Sequence, residues 1–186
     1  MNPDNKYRFL IIPGLGGSGE EHWQTYWSKE LKYAVEVVQD DWENPDKTIW
    51  LKRLDEYINR SDQPTILIAH SLAVALVVHW SSLYNNPCVK GILMVAPADV
   101  DSDKHTPEVV RGFSPMPLEK LSVPSVVIGS ENDDYVSIDR AMFFSDRWGS
   151  EFINVGSLGH INSDSKLGSW EFGKQFLYKL TNEISL

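Results

Sequence analysis

Apolar runs alternate with amphipathic stretches along the whole chain. Arg8-Phe9-Leu10-Ile11-Ile12 is a short apolar run closed by Pro13-Gly14, which predicts a buried strand. Trp23, Tyr26, Trp27 and Leu31 recur at helical spacing and predict a helix over 20–31. A strand over 35–38 follows. Pro45 suits the first turn of a helix, in which Trp50, Leu51, Leu54, Tyr57 and Ile58 form one apolar face. Further strands are predicted at 65–69, 91–96, 125–129 and 152–155. Helices are predicted at 72–84, near 137–148, and from about 165 to 183. The stretch 97–122, rich in proline and charge, is the longest irregular segment and is placed to flank or partly cover a site.

Strands that are apolar throughout and separated by helices indicate a parallel sheet covered on both faces. Right-handed crossovers make a doubly wound, mostly parallel six-stranded α/β sheet the simplest architecture. Its functional loops lie beyond the carboxyl ends of the strands, here after residues 12, 69, 129 and 155. No repeat or linker interrupts the pattern, so residues 1–186 are expected to form a single domain.

Composition narrows the function classes. Hydrophobic residues make up 42% of the chain, with seven each of Trp, Tyr and Phe, which suits a packed core. The formal net charge of −9 repels phosphate backbones and gives no attraction to anionic membranes. Cys88 is the only cysteine, which rules out an intrachain disulfide. Met1–Lys6 shows no secretory leader, and no apolar run reaches the length of a membrane span. The expectation is a cytoplasmic protein with no nucleic-acid or membrane partner.

The chemistry begins at Ala69-His70-Ser71-Leu72-Ala73, which joins an apolar strand to a helix. A serine there sits on a tight, strained turn, with its hydroxyl above the sheet and free N–H groups of a helix N-terminus beside it. The pattern usually has glycine two residues before and after; both are alanine here. A serine helix cap would look the same in isolation. A nucleophilic serine needs a base, and Gly156-Ser157-Leu158-Gly159-His160 places a histidine in the loop after the last strand. His70 is expected to point away from the serine, His79 lies within a helix, and His22 and His105 carry no role in this pattern. The base needs a carboxylate to fix its tautomer. In Glu131-Asn132-Asp133-Asp134-Tyr135-Val136 we select Asp133, because aspartate, two residues, then an apolar residue is the usual spacing. Asp134 is the near alternative and Glu131 a weaker one. Serine, acid and histidine thus occur in the chain order of α/β-hydrolases, each just after a predicted strand. The backbone N–H groups of Leu15, in the glycine turn after the first strand, and of Leu72 are the candidate oxyanion donors. Phe113, Met116 and Tyr135 are candidate pocket residues.

Taken together, Ile12-Pro13-Gly14, His22-Trp23-Gln24 with Trp27, Asp41-Trp42 with Pro45, His70-Ser71-Leu72, Val95-Ala96-Pro97 and Gly159-His160 resemble the YdeN-like family of small serine hydrolases, related to retinoblastoma-binding protein nine. The resemblance covers nearly the whole chain. It implies a compact α/β-hydrolase core without a large lid and a triad on Ser71, Asp133 and His160; a core this short is expected to act on a small ester or amide, with no cofactor. Family members often carry Asp-Pro where this chain has Asp133-Asp134. The Leu-x-Cys-x-Glu motif behind the vertebrate relative's name has no counterpart around Cys88, so that partner is not implied.

Two other readings remain open at this level. Gly14-Leu15-Gly16-Gly17-Ser18-Gly19 is a literal G-x-G-x-x-G between a strand and a helix, with Asp40 and Asp41 about 20 residues on, as in nicotinamide-dinucleotide oxidoreductases. It would leave Ser71 and His160 unexplained and little room for a substrate domain. A non-catalytic binding protein retaining the fold would account for the two alanines and the Asp-Asp turn. Asp99, Asp101 and Asp103 resemble the opening of a calcium loop, but Lys104 and Val110 occupy the glycine and glutamate positions. No helix carries histidines at metal-ligand spacing, so no metal is expected. Trp23, Trp27 and Trp50 are assigned to the core.

Overall fold

The computed structural model describes residues 6–184. Met1–Asn5, most of the segment read above for a leader, lie outside them. Six strands, β1 (Arg8–Ile12), β2 (Ala34–Glu36), β3 (Thr65–His70), β4 (Val89–Val95), β5 (Ser125–Gly129) and β6 (Glu151–Asn154), form one sheet in the order β2-β1-β3-β4-β5-β6. Every neighbouring pair is parallel. Five helices connect or follow them: α1 (Trp23–Glu30), α2 (Lys47–Ile58), α3 (Leu72–Leu83), α4 (Ile138–Trp148) and α5 (Glu171–Ile184).

Side chains on a strand alternate between faces, and here both faces are covered. Leu10, Ile12, Leu67, Ala69, Met94 and Val127 point toward α2, α3 and α4, where Trp50, Leu54, Leu76, Phe144 and Trp148 complete one core. Phe9, Ile11, Ile66, Ile68, Leu93, Val95 and Ile128 point to the other face, against Trp23 and Trp27 of α1, Trp170, and Leu177 and Leu180 of α5. Trp23, Trp27 and Trp50 are fully buried, in keeping with their assignment to the core. Among the described residues no helix is long and apolar enough to cross a membrane, and no large lid interrupts the alternation of strands and helices.

The chain order reverses between β1 and β3, which places a crevice at their carboxyl ends. Gln24 closes the floor of that crevice. Its side chain is fully buried, donates to the carbonyls of Ile12 and Ile68 at 3.2 Å each, and accepts from the Ser18 hydroxyl at 2.7 Å.

Element ends differ from the periodic pattern where a local bond or backbone angle overrides it. α1 starts three residues late because the His22 ring caps it, Nδ1 accepting from the Gln24 N–H at 3.1 Å. α5 starts at Glu171 because Lys166, Gly168 and Trp170 all have positive φ, which no right-handed helix tolerates. The segment between β4 and β5 holds one 3-10 turn, Glu108–Phe113, and is tied down by two arginines. Arg111 bonds Asp103, Thr106 and the carbonyls of Val100 and Ser102; Arg140 of α4 bonds Asp99 and Asp101. The three aspartates that resemble a calcium loop thus serve as anchors for this segment.

Replacing Gln24 with Leu should deprive the buried Ile12 and Ile68 carbonyls, and the partly buried Ser18 hydroxyl, of this partner. The expected cost is about 1–3 kcal/mol, seen as a lower urea midpoint at unchanged slope. A change below about 0.5 kcal/mol, the range of an ordinary surface substitution, would show that Gln24 does not hold the crevice.

Candidate active site

β3 ends at His70 and α3 begins at Leu72, leaving Ser71 alone to turn the chain. It does so at φ 59° and ψ −123°, outside the regions open to most L-residues. The turn is fixed by the Ser71 N–H donating to the Val95 carbonyl at 3.0 Å and by the Val74 N–H donating back to the Ser71 carbonyl at 3.0 Å. Ala69 and Ala73, where glycine is usual, are fully buried and fit without displacing this geometry. The glycine that the turn requires comes from elsewhere in the chain. A Cβ on Gly14 would stand 2.9 Å from the His70 carbonyl oxygen, 3.0 Å from the Ser71 Cβ and 3.1 Å from the Leu72 nitrogen. The turn after β1 can therefore lie directly on the serine turn only because residue 14 has no side chain.

Opposite the serine, the loop after β6 carries His160. Its Nε2 accepts from the Ser71 hydroxyl at 2.7 Å, and its Nδ1–H donates to both oxygens of Asp133 at 2.9 Å. The Asp133 side chain is fully shielded from solvent and the His160 side chain is 10% exposed. The Tyr135 N–H donates to Asp133 Oδ1 at 2.8 Å. A carboxylate so placed fixes the imidazole tautomer and favours an imidazolium when one forms. Asp134, the alternative acid, is exposed, and its carbonyl accepts from the His105 ring. Glu131 is also exposed and accepts from Asn154.

The acid turn also shapes the histidine loop. The Gly159 N–H donates to Asn132 Oδ1 at 2.7 Å and the Leu158 N–H to Ser130 Oγ at 2.9 Å. From below, the Trp23 indole N–H donates to the Ile161 carbonyl at 2.8 Å, and the His70 Nε2–H to the carbonyl of His160 itself at 2.9 Å. The His70 ring thus points at the loop that carries His160.

A cavity of about 200 Å³ opens at Ser71. Leu15 and Leu72, the candidate oxyanion donors, both line it. The Leu72 N–H belongs to the first helical turn, where no intrahelical carbonyl is available to it. The glycine turn is braced on either side of Leu15 by bonds from the Gly16 N–H to Trp42 and from the Gly17 N–H to Gly14. The candidate pocket residues fare unequally. Tyr135 lines the cavity, with its ring 4.3 Å from that of His160. Phe113 and Met116 do not: both are buried in the core, where Phe113 packs edge-on against Trp50. The segment between β4 and β5 buries these apolar side chains and presents Thr106, Pro107 and Val110 to the cavity instead.

The feature missed in the sequence is a stack of imidazoles along one wall of the cavity, which His22 and His70 line together with His160. His22, His70 and His160 follow one another, with ring centroids 4.7 and 4.9 Å apart. Burial and the neighbouring His160 push the His22 ring down to about 4. His70 is held well below the ordinary histidine value, chiefly by burial and then by His160 and His22. The available signal was the position of His22 at a helix start beside the glycine turn.

Because both buried rings stay neutral, the unfolded chain binds more protons than the native one below the ordinary value of 6.5. Stability should therefore fall as pH drops from 6.5 toward about 4. The His22 share is worth roughly 3 kcal/mol. Urea midpoints at pH 7 and 4.5 should converge in His22→Asn, which retains a capping oxygen. An identical pH dependence in wild type and variant would show that His22 is not held neutral.

Among curated proteins none matches the sequence. The structure is similar to that of a YdeN-like hydrolase from Pectobacterium atrosepticum, with 28% identity over 98% of this chain and 94% of that one and a TM-score of 0.86. The YdeN protein of Bacillus subtilis shares the fold at 18% identity and TM-score 0.78, covering 95% of this chain and 99% of that one. Est1E from Butyrivibrio proteoclasticus does so at 15% identity and TM-score 0.71, covering 96% and 90%. The serine hydrolase family model matches residues 9–179, nearly the full length, and the chain belongs to that family.

Proposed function

We propose that this protein hydrolyses small esters, and amides of similar size, through an acyl-enzyme on Ser71. The observation that carries this reading is the unbroken hydrogen-bond path from Ser71 Oγ through His160 to Asp133, at 2.7 and 2.9 Å, at the mouth of a cavity. His160 Nε2 takes the serine proton while Oγ bonds to the substrate carbonyl carbon. The negative charge that develops on the carbonyl oxygen faces the N–H groups of Leu15 and Leu72. Collapse of this intermediate breaks the bond to the leaving group, which departs with the proton held by His160. Water then repeats the sequence, giving its proton to His160 and its oxygen to the acyl carbon, and Ser71 regains its proton as the acid leaves. The Asp133 carboxylate steadies the imidazolium in both halves. The cavity volume of about 200 Å³ lies below the roughly 300–1,000 Å³ of sites for drug-sized ligands, which supports a short acyl group.

The glycine turn supports the same reading over dinucleotide binding. Gly14 accommodates the serine turn, Gly17 packs against Trp42, and the Gln24 N–H in the first turn of α1 is met by the His22 ring.

Intact-mass measurement after fluorophosphonate treatment should show a single adduct on the wild type and none on Ser71→Ala. A folded wild type that takes no adduct would overturn the proposal. With a short-chain ester, Ser71→Ala and His160→Ala should each lower kcat by at least ~10³-fold, the scale of triad deletions. Asp133→Asn should slow turnover far more than Asp134→Asn; the reverse ranking would move the acid to residue 134.

A further inference from the structure

We propose that His70 is a positioning residue for the base: its Nε2–H, bonded to the backbone carbonyl of His160, sets the distance between the nucleophile and the imidazole that activates it. The inference rests on the hydrolase reading above. His70 and Ser71 are consecutive, so the rigid end of β3 delivers the nucleophile with one residue and holds the base loop with the one before it. The bond is 2.9 Å long, and His70 is only 5% exposed. A carbonyl can only accept, so His70 donates from Nε2, and its neutral ring carries the proton there. The ring also packs at 4.9 Å against the ring of His160.

The charge state suits this role. The titratable rings facing His70 are His160 on one side and His22 on the other. His22 accepts from the Gln24 N–H through Nδ1, which fixes its own tautomer and wedges its ring behind His70. When His160 becomes an imidazolium during turnover, a second cation 4.9 Å away would oppose it. Burial keeps His70 neutral and removes that opposition.

The other bonds to the loop act elsewhere. Ser130 and Asn132 hold Leu158 and Gly159 from the acid side, and Trp23 holds Ile161. Among the described residues, the His70 bond alone ties the His160 backbone to the strand that bears the serine. Loss of this tie frees the ring to shift by a fraction of an ångström relative to Ser71. Misplacement by about 1 Å can cost as much as 100-fold in rate.

The test compares His70→Gln, whose amide nitrogen reaches the position of Nε2, with His70→Asn, whose amide falls short, and with His70→Leu, which cannot donate. Steady-state hydrolysis of a short-chain p-nitrophenyl ester is measured with near-UV circular dichroism as a check on folding. We expect kcat to fall about 10- to 100-fold in the Leu and Asn variants. His70 also lines the cavity, so the readout is kcat rather than KM, and Gln should recover most of it. A purely structural role would move the melting temperature of all three variants without separating Gln from Asn. If Leu does not fold, the Gln–Asn comparison decides. Equal kcat in Gln and Asn, or a folded Leu variant as fast as wild type, overturns the proposal. Fluorophosphonate labelling of the wild type separates the two levels. An adduct on Ser71 together with insensitivity to residue 70 rejects only the positioning role. An unlabelled wild type rejects the hydrolase reading and this inference with it.

Discussion

Ser71 sits at a backbone conformation that costs about 1–3 kcal/mol and persists only where its surroundings enforce it. The enforcement is visible on every side. β3 and α3 must run straight into the turn, which needs buried alanines at 69 and 73. The turn after β1 must come within van der Waals contact, which needs a bare Cα at residue 14. The neighbouring strand must offer the Val95 carbonyl to the serine N–H. Because the same turn ends the strand in the middle of the sheet, its strain is borne by the best-packed part of the molecule. The cost held there is what lifts one hydroxyl clear of the sheet and leaves a helix N-terminus open beside it.

The His22-Trp23-Gln24 segment illustrates how a short motif can serve a site without supplying its reacting atoms. Each of its three side chains braces a different part of the site. Gln24 joins the ends of β1 and β3. Trp23 holds the residue after His160. His22 packs behind His70. The motif lies at the start of α1, and helical periodicity assigns it only an apolar face. Its polar atoms matter because the sheet ends and the histidine loop bring carbonyl groups to that face.

Much of the fold was legible in the sequence because buried parallel strands are continuous apolar runs and their order of appearance limits the topology. The succession of serine, acid and histidine after strands was legible for the same reason, and the structure brings Ser71, Asp133 and His160 into one hydrogen-bonded path. Three things were not. Phe113 and Met116 are apolar residues in an irregular segment, and without a period nothing in the sequence says whether such a residue faces a cavity or the core. The late start of α5 depends on Lys166 and Trp170 adopting left-handed angles, which neither residue type announces. The imidazole stack joins residues 22, 70 and 160, and contacts of that separation follow from the assembled sheet rather than from any local pattern.

The two faces of the sheet are built on different schedules. The face covered by α2, α3 and α4 draws its buried core from residues up to Trp148, whereas Trp23 and Trp27 find their hydrogen-bond partners only at Ile161 and Ser169, 138 and 142 residues downstream. Trp170 of the same late segment, and Leu177 and Leu180 of α5, complete the cluster that Trp23 and Trp27 begin on β1 and β3. The base arrives with the same late segment. Ser71 is therefore made 89 residues before the imidazole to which its hydroxyl donates, and the segment that completes the aromatic face is the one that brings that imidazole.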